Sequence, residues 1–156
     1  MGEVMTVRSA WTAGSQFNAV AGSGHSVVLD AALEHGGQDA GFRPMELLLV
    51  GLAGCTGMDV ISILRKKRQE VTGYEVRVRG ERAADHPMVF TEITVEHVVT
   101  GHHIAPAAVA RAVELSETKY CGAGAMLRKT ATLTHTFNVR EATEADPVGS
   151  TVPPRL

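Results

Sequence analysis

The sequence lacks the features by which many functional classes are identified. Lysine and arginine (15) nearly balance aspartate and glutamate (17), which gives no electrostatic reason to expect nucleic acid or an anionic membrane as a partner. No uninterrupted apolar run reaches the roughly 18 residues that span a bilayer. The N-terminus has no apolar segment typical of a signal peptide, so a cytoplasmic protein is expected.

Cysteine and aromatic residues are also scarce. Two cysteines without a secretory signal indicate a reducing compartment, in which a disulfide would be transient and functional. Aromatic residues make up only 4% of the chain, so alanine, valine, leucine and glycine must supply most of the packing. A chain of 156 residues is expected to form one domain. We place it at residues 1–140 and interpret residues 141–156, with three prolines, as a poorly ordered tail.

The two cysteines occupy similar settings of small residues. Cys55 lies in the apolar run of residues 47–57, and Cys121 opens the glycine- and alanine-rich stretch 121–127. Because they lie far apart in the chain, they form no local Cys-x-x-Cys motif. They are either inert core thiols or one long-range redox couple. A helix that began at Cys121 would lower the pKa of that thiol and favour the thiolate.

The first half of the chain reads as strands followed by a helix. Residues 3–30 have the spacing of a three-stranded meander, and residues 31–42 form a polar connector. Pro44 favours the start of a helix that runs to about Gln69. Its stretch up to residue 55 is apolar on every face, which is typical of a buried central helix. The glycines of this helix indicate close approach of another backbone.

The second half alternates in the manner of half-buried strands. Residues 74–79 and 90–98 each show one apolar and one polar face. A helix is expected from Pro106, a short one near Cys121, and a last strand at residues 131–139. This order predicts an α+β fold with an antiparallel sheet.

Other motifs carry little information. The seven histidines form no HExxH pattern and the cysteines lack zinc-finger spacing, so neither a metal site nor a cofactor is expected. Glu46 suits the positive N-terminal end of the first helix. Asp59 lies one helical turn after Cys55; it is interpreted as solvent-facing, as a partner of another helix or as a group that supports the cysteine. His135 is expected at the surface or half-buried on its strand.

Two segments resemble a known family. Residues 42–55 (FRPMELLLVGLAGC) resemble the central-helix signature of the OsmC/Ohr superfamily, and residues 119–121 (KYC), with the Ala-Met-Leu that follows, resemble its second cysteine segment. The similarity extends from about residue 5 to 140 and is closest to the YhfA-like branch. Two cysteine motifs at matching separation, in matching helices, make this a specific signal.

The resemblance implies an assembly and a chemistry. Family members are intertwined homodimers in which two central helices pack between curved antiparallel sheets, with the cysteines at the subunit interface. One cysteine attacks an organic hydroperoxide and becomes a sulfenic acid, which the second resolves to a disulfide; a dithiol regenerates both and no cofactor is needed. Cys55 is thus the predicted nucleophile and Cys121 the resolving thiol. A lowered pKa at Cys121 would reverse these roles, so the order of attack stays open.

The chain departs from the family pattern at two positions. Met45 stands where the activating glutamate directly follows the proline, and the acid is displaced to Glu46. One residue turns a helix by about 100°, so Glu46 is a catalytic candidate that need not point the same way. The arginine expected in the N-terminal meander is replaced by residues 15–17 (SQF). Weak peroxidase activity is therefore expected.

Two functional hypotheses of different class follow. The first is a cytoplasmic thiol enzyme that acts on organic hydroperoxides or another small electrophile, with an apolar substrate pocket formed by Met45, Leu48, Leu52 and Met126. The second is a dimer that binds a small hydrophobic ligand, or is purely structural, and keeps its cysteines for packing. Alkylation separates them, because a core thiol resists iodoacetamide at neutral pH.

Overall fold

A computed structural model describes residues 1–146 and residue 155. The chain divides into two compact units, an N-terminal unit of residues 1–48 and a C-terminal unit that begins at residue 49. The mixed α and β composition agrees with the expected α+β class. In chain order the helices and strands are β1 (Val7–Ala13), β2 (Gln16–Ala21), β3 (Ser26–Leu29), α1 (Pro44–Lys66), β4 (Glu70–Arg82), β5 (Phe90–His102), α2 (Pro106–Leu115), α3 (Gly122–Leu127) and β6 (Thr132–Glu141), with a 3-10 turn at Leu33–His35 and a π-helical turn at Ser116–Tyr120.

The N-terminal unit contains the predicted meander. Strands β1, β2 and β3 pair antiparallel in sequence order. Gly14 and Gly24 take positive φ angles of 53° and 87° in the two connecting turns, a conformation that glycine adopts without steric cost. In the single chain this sheet leaves large apolar side chains exposed, among them Val7 and Trp11.

Asp30 holds the connector that follows the meander. Its side chain is buried, and its two carboxylate oxygens accept hydrogen bonds from the backbone N–H groups of Ala31, Gln38 and Ala40 at 2.8 to 3.1 Å. Burial would raise the pKa of Asp30, but the backbone donors outweigh it and the pKa lies below its ordinary value. The connector is thus closed by one ionised side chain, and α1 begins directly after it.

The C-terminal unit is built on a mixed sheet in the order β4-β5-β6. Strands β4 and β5 are antiparallel, whereas β5 and β6 run parallel. The prediction of a purely antiparallel sheet is therefore wrong for its last strand. The reason lies in the connection, since α2 and α3 lie between β5 and β6 and return the chain to the same end of the sheet, as a parallel crossover requires.

The core of the C-terminal unit lies between helices and sheet. Its members are aliphatic side chains from α1, β5 and α2 and from the segment between them: Val60, Leu64, Val99, Ile104, Val109, Ala112 and Val113. Tyr74 of β4 and Val139 of β6 pack against this cluster. The small aliphatic residues thus do the packing, as the scarcity of aromatics predicts.

Helix α1 differs from its prediction in burial and in length. In the single chain only one stripe of it is buried, formed by Leu52, Thr56, Val60 and Leu64 at four-residue intervals. The helix ends at Lys66, because Arg68 takes a positive φ of 55° and the N–H of Gln69 donates to the carbonyl of Leu64, a Schellman cap. The prediction of burial on every face is wrong within one chain.

The glycines of α1 also differ from expectation. Apart from its own helix and chain neighbours, a Cβ at Gly51 or Gly54 would meet no atom of the described residues within 4 Å, so no other described backbone packs there. At Gly57 a Cβ would lie 3.3 Å from the side chain of Val76, which makes this glycine the point where α1 approaches β4. Gly57 therefore faces a side chain, whereas Gly51 and Gly54 face no other group of the described residues.

By length and composition, α1 is long and apolar enough to cross a membrane, with a mean hydropathy of 2.0. Its apolar run is interrupted by Glu46 and Asp59, so it is shorter than 18 uninterrupted residues, as expected, but these two acids do not make the helix polar. A central helix of a folded domain meets the same criterion, so one such helix does not indicate membrane insertion. Of the predicted tail, Glu141 belongs to β6 and residues 143–146 form a turn, while residues 147–154 and 156 lie outside the described residues.

Candidate active site

The two cysteines lie together in the C-terminal unit. Cys55 projects from α1, and Cys121 is the N-cap of α3, where its sulfur accepts a hydrogen bond from the N–H of Gly124 at 3.3 Å. The two sulfur atoms and a carboxylate oxygen of Asp59 all lie within 4.8 Å of one another. We call these three side chains the thiol cluster. Both thiols are free.

The two thiols differ in exposure. Cys55 is half-buried, whereas Cys121 is buried with 5% of its surface exposed. Burial raises the pKa of Cys121 to about 11, the adjacent Cys55 thiol contributes in the same direction, and the Gly124 N–H opposes them. A helix does begin after Cys121, but the expected lowering of its pKa is wrong because desolvation outweighs the effect of the short helix.

A chain of three hydrogen-bonded side chains orients Asp59. Ser116 Oγ lies 2.9 Å from Asp59 Oδ2 and 2.9 Å from Thr56 Oγ1. Ser116 donates its single hydroxyl proton to Asp59, so Thr56 must donate to Ser116. Ser116 and Thr56 are fully buried. The position of Asp59 beside both sulfurs is therefore set by hydroxyl groups of α1 and of the π-helical turn.

A second polar chain crosses the sheet of the same unit. The hydroxyl of Tyr74 on β4 lies 2.6 Å from Nδ1 of His97 on β5, and Nε2 of His97 lies 3.0 Å from Nδ1 of His135 on β6. His97 is fully buried. Burial, followed by the neighbouring His135, lowers the pKa of His97 to about 4, so the ring is neutral at pH 7. Burial and the Asp59 carboxylate both raise the pKa of Tyr74, which keeps its hydroxyl protonated.

Neither hydrogen-bonded chain was predicted from the sequence, although Asp59 was singled out as one candidate partner of another helix or of the cysteine. His135 was expected at the surface or half-buried, and it is half-buried, but its partner His97 was not singled out. A signal was present in the sequence. Ile93, Val95 and Val99 lie on the buried face of β5, and His97 occupies the position of that face between Val95 and Val99. A histidine in such a row must find hydrogen-bond partners.

A cavity of about 520 Å³ lies next to the thiol cluster. Asp59 belongs to its wall and also contributes its carboxylate to the thiol cluster, so this residue connects the two. The remaining lining comes from α1, the segment after it, α2 and the π-helical turn: Met58, Ser62, Ile63, Lys66, Lys67, Leu115 and Tyr120. The wall is apolar near the middle of α1 and basic at its C-terminal end.

Neither the two cysteines nor the other predicted site residues are among the residues that line this cavity. Leu52 is fully buried in the stripe of α1, whereas Met126 and Leu48 are largely exposed and Met45 is half-buried. The substrate pocket composed of these four residues stays a prediction. Glu46 is exposed, and its Oε2 accepts the N–H of Arg43 at 2.9 Å, which caps the start of α1; its catalytic role also stays a prediction.

Comparisons with known proteins agree with this architecture. Residues 36–136 match the family model described as OsmC-like protein. Protein YhfA of Escherichia coli K12 is 40% identical over 135 residues, which cover 86% of this chain and 98% of that protein. A crystal structure of a hypothetical protein from Aquifex aeolicus VF5 superposes with a TM-score of 0.80 at 32% identity, over 91% of this chain and 100% of that one.

A more distant similarity is confined to the fold. The organic hydroperoxide resistance protein OhrB of Bacillus subtilis superposes with a TM-score of 0.60 at 16% identity, over 87% of this chain and 98% of that one. The family match spans well over half of the chain and includes both cysteines. The chain therefore belongs to the OsmC family, within its YhfA-like branch.

Proposed function

We propose that the chain is a thiol-dependent reductase of small organic hydroperoxides, with Cys55 as the attacking sulfur and Cys121 as the resolving one. The observation that carries this proposal is the approach of the two sulfurs to within 4.8 Å of each other. A disulfide needs an S–S distance of about 2.0 Å, so bridging asks for a movement of no more than about 3 Å shared by two side chains.

The proposed reaction has three steps. Cys55 Sγ attacks the O–O bond of the hydroperoxide, which breaks to leave an alcohol and a sulfenic acid on Cys55. The thiol of Cys121 then attacks the sulfenic sulfur, water leaves, and the disulfide forms. An external dithiol reduces this disulfide, regenerates both thiols and becomes a disulfide itself. Two electrons pass from the dithiol to the peroxide in each cycle.

The assignment of the attacking sulfur follows from exposure and pKa. Cys55 is the more accessible thiol, and burial together with Cys55 raises the pKa of Cys121 to about 11. A thiol that is both buried and protonated is a poor first nucleophile. It can still resolve a sulfenic acid that forms next to it.

Asp59 is proposed to move the thiol proton. Its carboxylate lies beside both sulfurs, and Ser116 holds only one of its oxygens. The carboxylate would accept the proton of Cys55 as the sulfur attacks and return it to the leaving alkoxide. The family's usual arginine and glutamate are missing here, so this carboxylate would provide less thiolate than a cation does. Turnover should be slow.

The cavity beside Asp59 is the proposed entry for the peroxide. Its apolar wall of Met58, Ile63 and Leu115 favours an organic over an inorganic peroxide. We further propose that the chain acts as an intertwined homodimer in the cytoplasm. In the single chain Met58 of α1 and Trp11 of β1 are 73% and 67% exposed, and apolar surface of this kind is typical of an interface. Sedimentation that showed a stable folded monomer at micromolar concentration would contradict this.

Peroxide consumption tests the reaction. The reduced protein should consume cumene hydroperoxide faster than hydrogen peroxide when a dithiol is present, at a low rate. Cys55→Ser should abolish turnover. Cys121→Ser should retain the first step and accumulate a sulfenic acid that dimedone traps on Cys55. One equivalent of cumene hydroperoxide should give the disulfide-linked peptide of residues 55 and 121 in non-reducing mapping of the wild type.

The role of Asp59 has a matched control. Asp59→Asn should lower the rate of sulfenic acid formation by about 10²-fold, the lower range of general acid–base catalysis. Asp85→Asn removes a carboxylate from the turn between β4 and β5 and should leave the rate unchanged. Sulfenic acid on Cys121 alone, or the lack of a cross-linked peptide, would contradict the assigned order. A rate equal to that of dedicated peroxidases of the family would contradict the argument from the missing residues.

A second candidate function uses the same cavity without chemistry. Its volume and its apolar wall suit a small hydrophobic ligand, and Lys66 and Lys67 at its basic end suit an anionic group on it. In that case both thiols are packing residues. Iodoacetamide at neutral pH separates the two functions, because rapid modification of Cys55 favours the reductase and resistance of both thiols favours the binding protein.

A further inference from the structure

We propose that Cys55, Asp59 and Cys121 form a binding site for Zn²⁺, with the two sulfurs and one carboxylate oxygen as ligands. The sequence offered no sign of it, because the cysteines lie far apart and no histidine pattern is present. The inference does not depend on peroxide reduction. The same thiols can hold a metal ion whether or not they react with peroxide.

The geometry of the cluster fits a tetrahedral zinc site. Zinc lies about 2.3 Å from sulfur and about 2.0–2.2 Å from carboxylate oxygen, so the ligand atoms of a tetrahedral site lie roughly 3.5–3.8 Å from one another. The three atoms here already lie within 4.8 Å. Cys55 and Asp59 are four residues apart on α1, the spacing by which a helix presents two ligands to one metal. The third ligand, Cys121, comes from a different element, because it is the N-cap of α3.

The hydrogen bonds around the cluster prepare its ligands independently of these distances. Ser116 donates to Oδ2 of Asp59, which fixes the orientation of the carboxylate and leaves its remaining lone pairs for a metal ion. Thr56 fixes Ser116 in turn. The N–H of Gly124 points at the sulfur of Cys121 at 3.3 Å, which suits a thiolate. Such partners of the ligands contribute strongly to metal affinity in known sites.

The donor set also indicates which cations would bind. Two thiolates select zinc and related soft ions over magnesium and calcium, which prefer oxygen ligands. Binding releases the two thiol protons, and the three anionic ligands with Zn²⁺ leave a net charge of −1. Three protein ligands leave a fourth position, which water from the cavity at Asp59 can fill. Zinc and the disulfide use the same sulfurs, so the two states exclude each other.

Metal titration tests the site on the full chain without an affinity tag. Reduced, metal-free protein is titrated with Zn²⁺ against a chromophoric chelator under anaerobic conditions, and separately with Co²⁺. We expect one Zn²⁺ per chain and a thiolate-to-cobalt charge-transfer band with the strong visible absorption of tetrahedral Co²⁺. Cys55→Ser and Cys121→Ser should each lose the tight site. Ser116→Ala should weaken binding by about 10- to 100-fold while both sulfurs stay in place.

Two controls keep the result specific. Asp59→Asn should weaken Zn²⁺ binding by at least about tenfold, the scale found for disturbed zinc ligation, whereas Asp85→Asn should not change it. His102→Ala removes an exposed histidine next to a second one and should also have no effect. Circular dichroism establishes that each variant is folded before it is titrated.

Several results would overturn the site. These are less than half an equivalent of tightly bound Zn²⁺, undiminished affinity in Cys55→Ser, or loss of binding in His102→Ala. The two proposals fail separately. A protein that reduces peroxide but binds no zinc overturns the metal site alone, and one that binds zinc but is inert towards cumene hydroperoxide overturns the reductase alone.

Discussion

Replacing His97 by leucine should remove most of the acid sensitivity of folding between pH 6.5 and pH 4. The imidazole is fully buried between Tyr74 and His135, and burial, followed by the charge of His135, lowers its pKa from 6.5 to about 4. In the unfolded chain the same ring titrates at its ordinary pKa. Between pH 6.5 and about pH 4, His97 is therefore protonated in the unfolded state but neutral in the folded state.

The size of the effect follows from this difference. His97 has a folded pKa that is lower than its unfolded pKa, so its neutral form supports folding fully above pH 6.5 and the support is lost as the pH falls to about 4. The difference of roughly 2.5 units corresponds to about 3 kcal/mol of unfolding free energy. Burial also lowers the pKa of His135; Glu117 opposes this and Arg128 adds to it, so His135 contributes with the same sign.

The assay compares pH dependence rather than absolute stability. His97→Leu leaves the Tyr74 hydroxyl without its partner and should lower the stability at pH 8 by about 1–3 kcal/mol. Combining it with Tyr74→Phe removes this orphaned group. Urea unfolding followed by circular dichroism between pH 4.5 and 8 gives the slope for each protein.

A surface histidine provides the control for this experiment. The side chain of His35 is 74% exposed, so His35→Gln should reproduce the wild-type slope. Between pH 6.5 and 4.5 the wild type should lose about 2–3 kcal/mol more than the double variant. Parallel curves that differ by less than about 0.5 kcal/mol over this range would refute the role of His97.

Three further changes test other parts of the molecule. Thr56→Val and Ser116→Ala should each lower the free energy of unfolding by about 1–3 kcal/mol. The double variant should lose about 1 kcal/mol less than the sum of the two, because it leaves neither buried hydroxyl without its partner. Additive losses in urea unfolding would contradict the hydroxyl chain. Leu64→Ala should cost about 2–5 kcal/mol in the same assay because this side chain is fully buried in the core, and a loss below about 1 kcal/mol would place it outside the core. Burial would raise the pKa of Asp30, but its backbone donors lower it below the ordinary value of 3.8. The contribution of the ionised carboxylate to folding is therefore complete above pH 3.8 and is lost as the pH falls through the pKa of the folded state. The protection factor of the Ala40 amide, which corrects for the intrinsic pH dependence of exchange, should thus fall on acidification in the wild type and be low already at neutral pH in Asp30→Asn. Equal protection in both proteins at neutral pH would contradict the role of Asp30.

Local patterns predicted the elements of the fold better than their pairing. Pro44 and Pro106 each begin a helix, and the alternating strands lie where the period of two placed them. The parallel direction of β6 was not predicted, because direction depends on the path of the crossover and not on the side chains of the strand. Burial of α1 was overestimated, since an apolar sequence does not tell whether its cover comes from the same chain or from a second one.

For the candidate site too, the sequence predicted some residues but not the contacts between them. Both cysteines were predicted as candidates from their small-residue settings, and the family resemblance paired them. Of the groups around them, Asp59 was considered as a support for the cysteine, but its hydroxyl partners were not predicted. Ser116 reaches Asp59 and Thr56 from a distant part of the chain, and a serine beside an apolar helix face looks the same whether or not it has a buried partner. Only the tertiary packing of the π-helical turn on α1 distinguishes the two cases.

Electrostatics connects the proposed reaction with the proposed metal site. All three side chains of the thiol cluster are anionic when they ionise, and the Asp59 charge adds to burial and to Cys55 in raising the pKa of Cys121. With burial, a fixed carboxylate beside it and no activating arginine in the family position, the Cys121 thiol is held in its protonated form. A divalent cation reverses this balance, because it stabilises the ionised form of every group in the cluster at once.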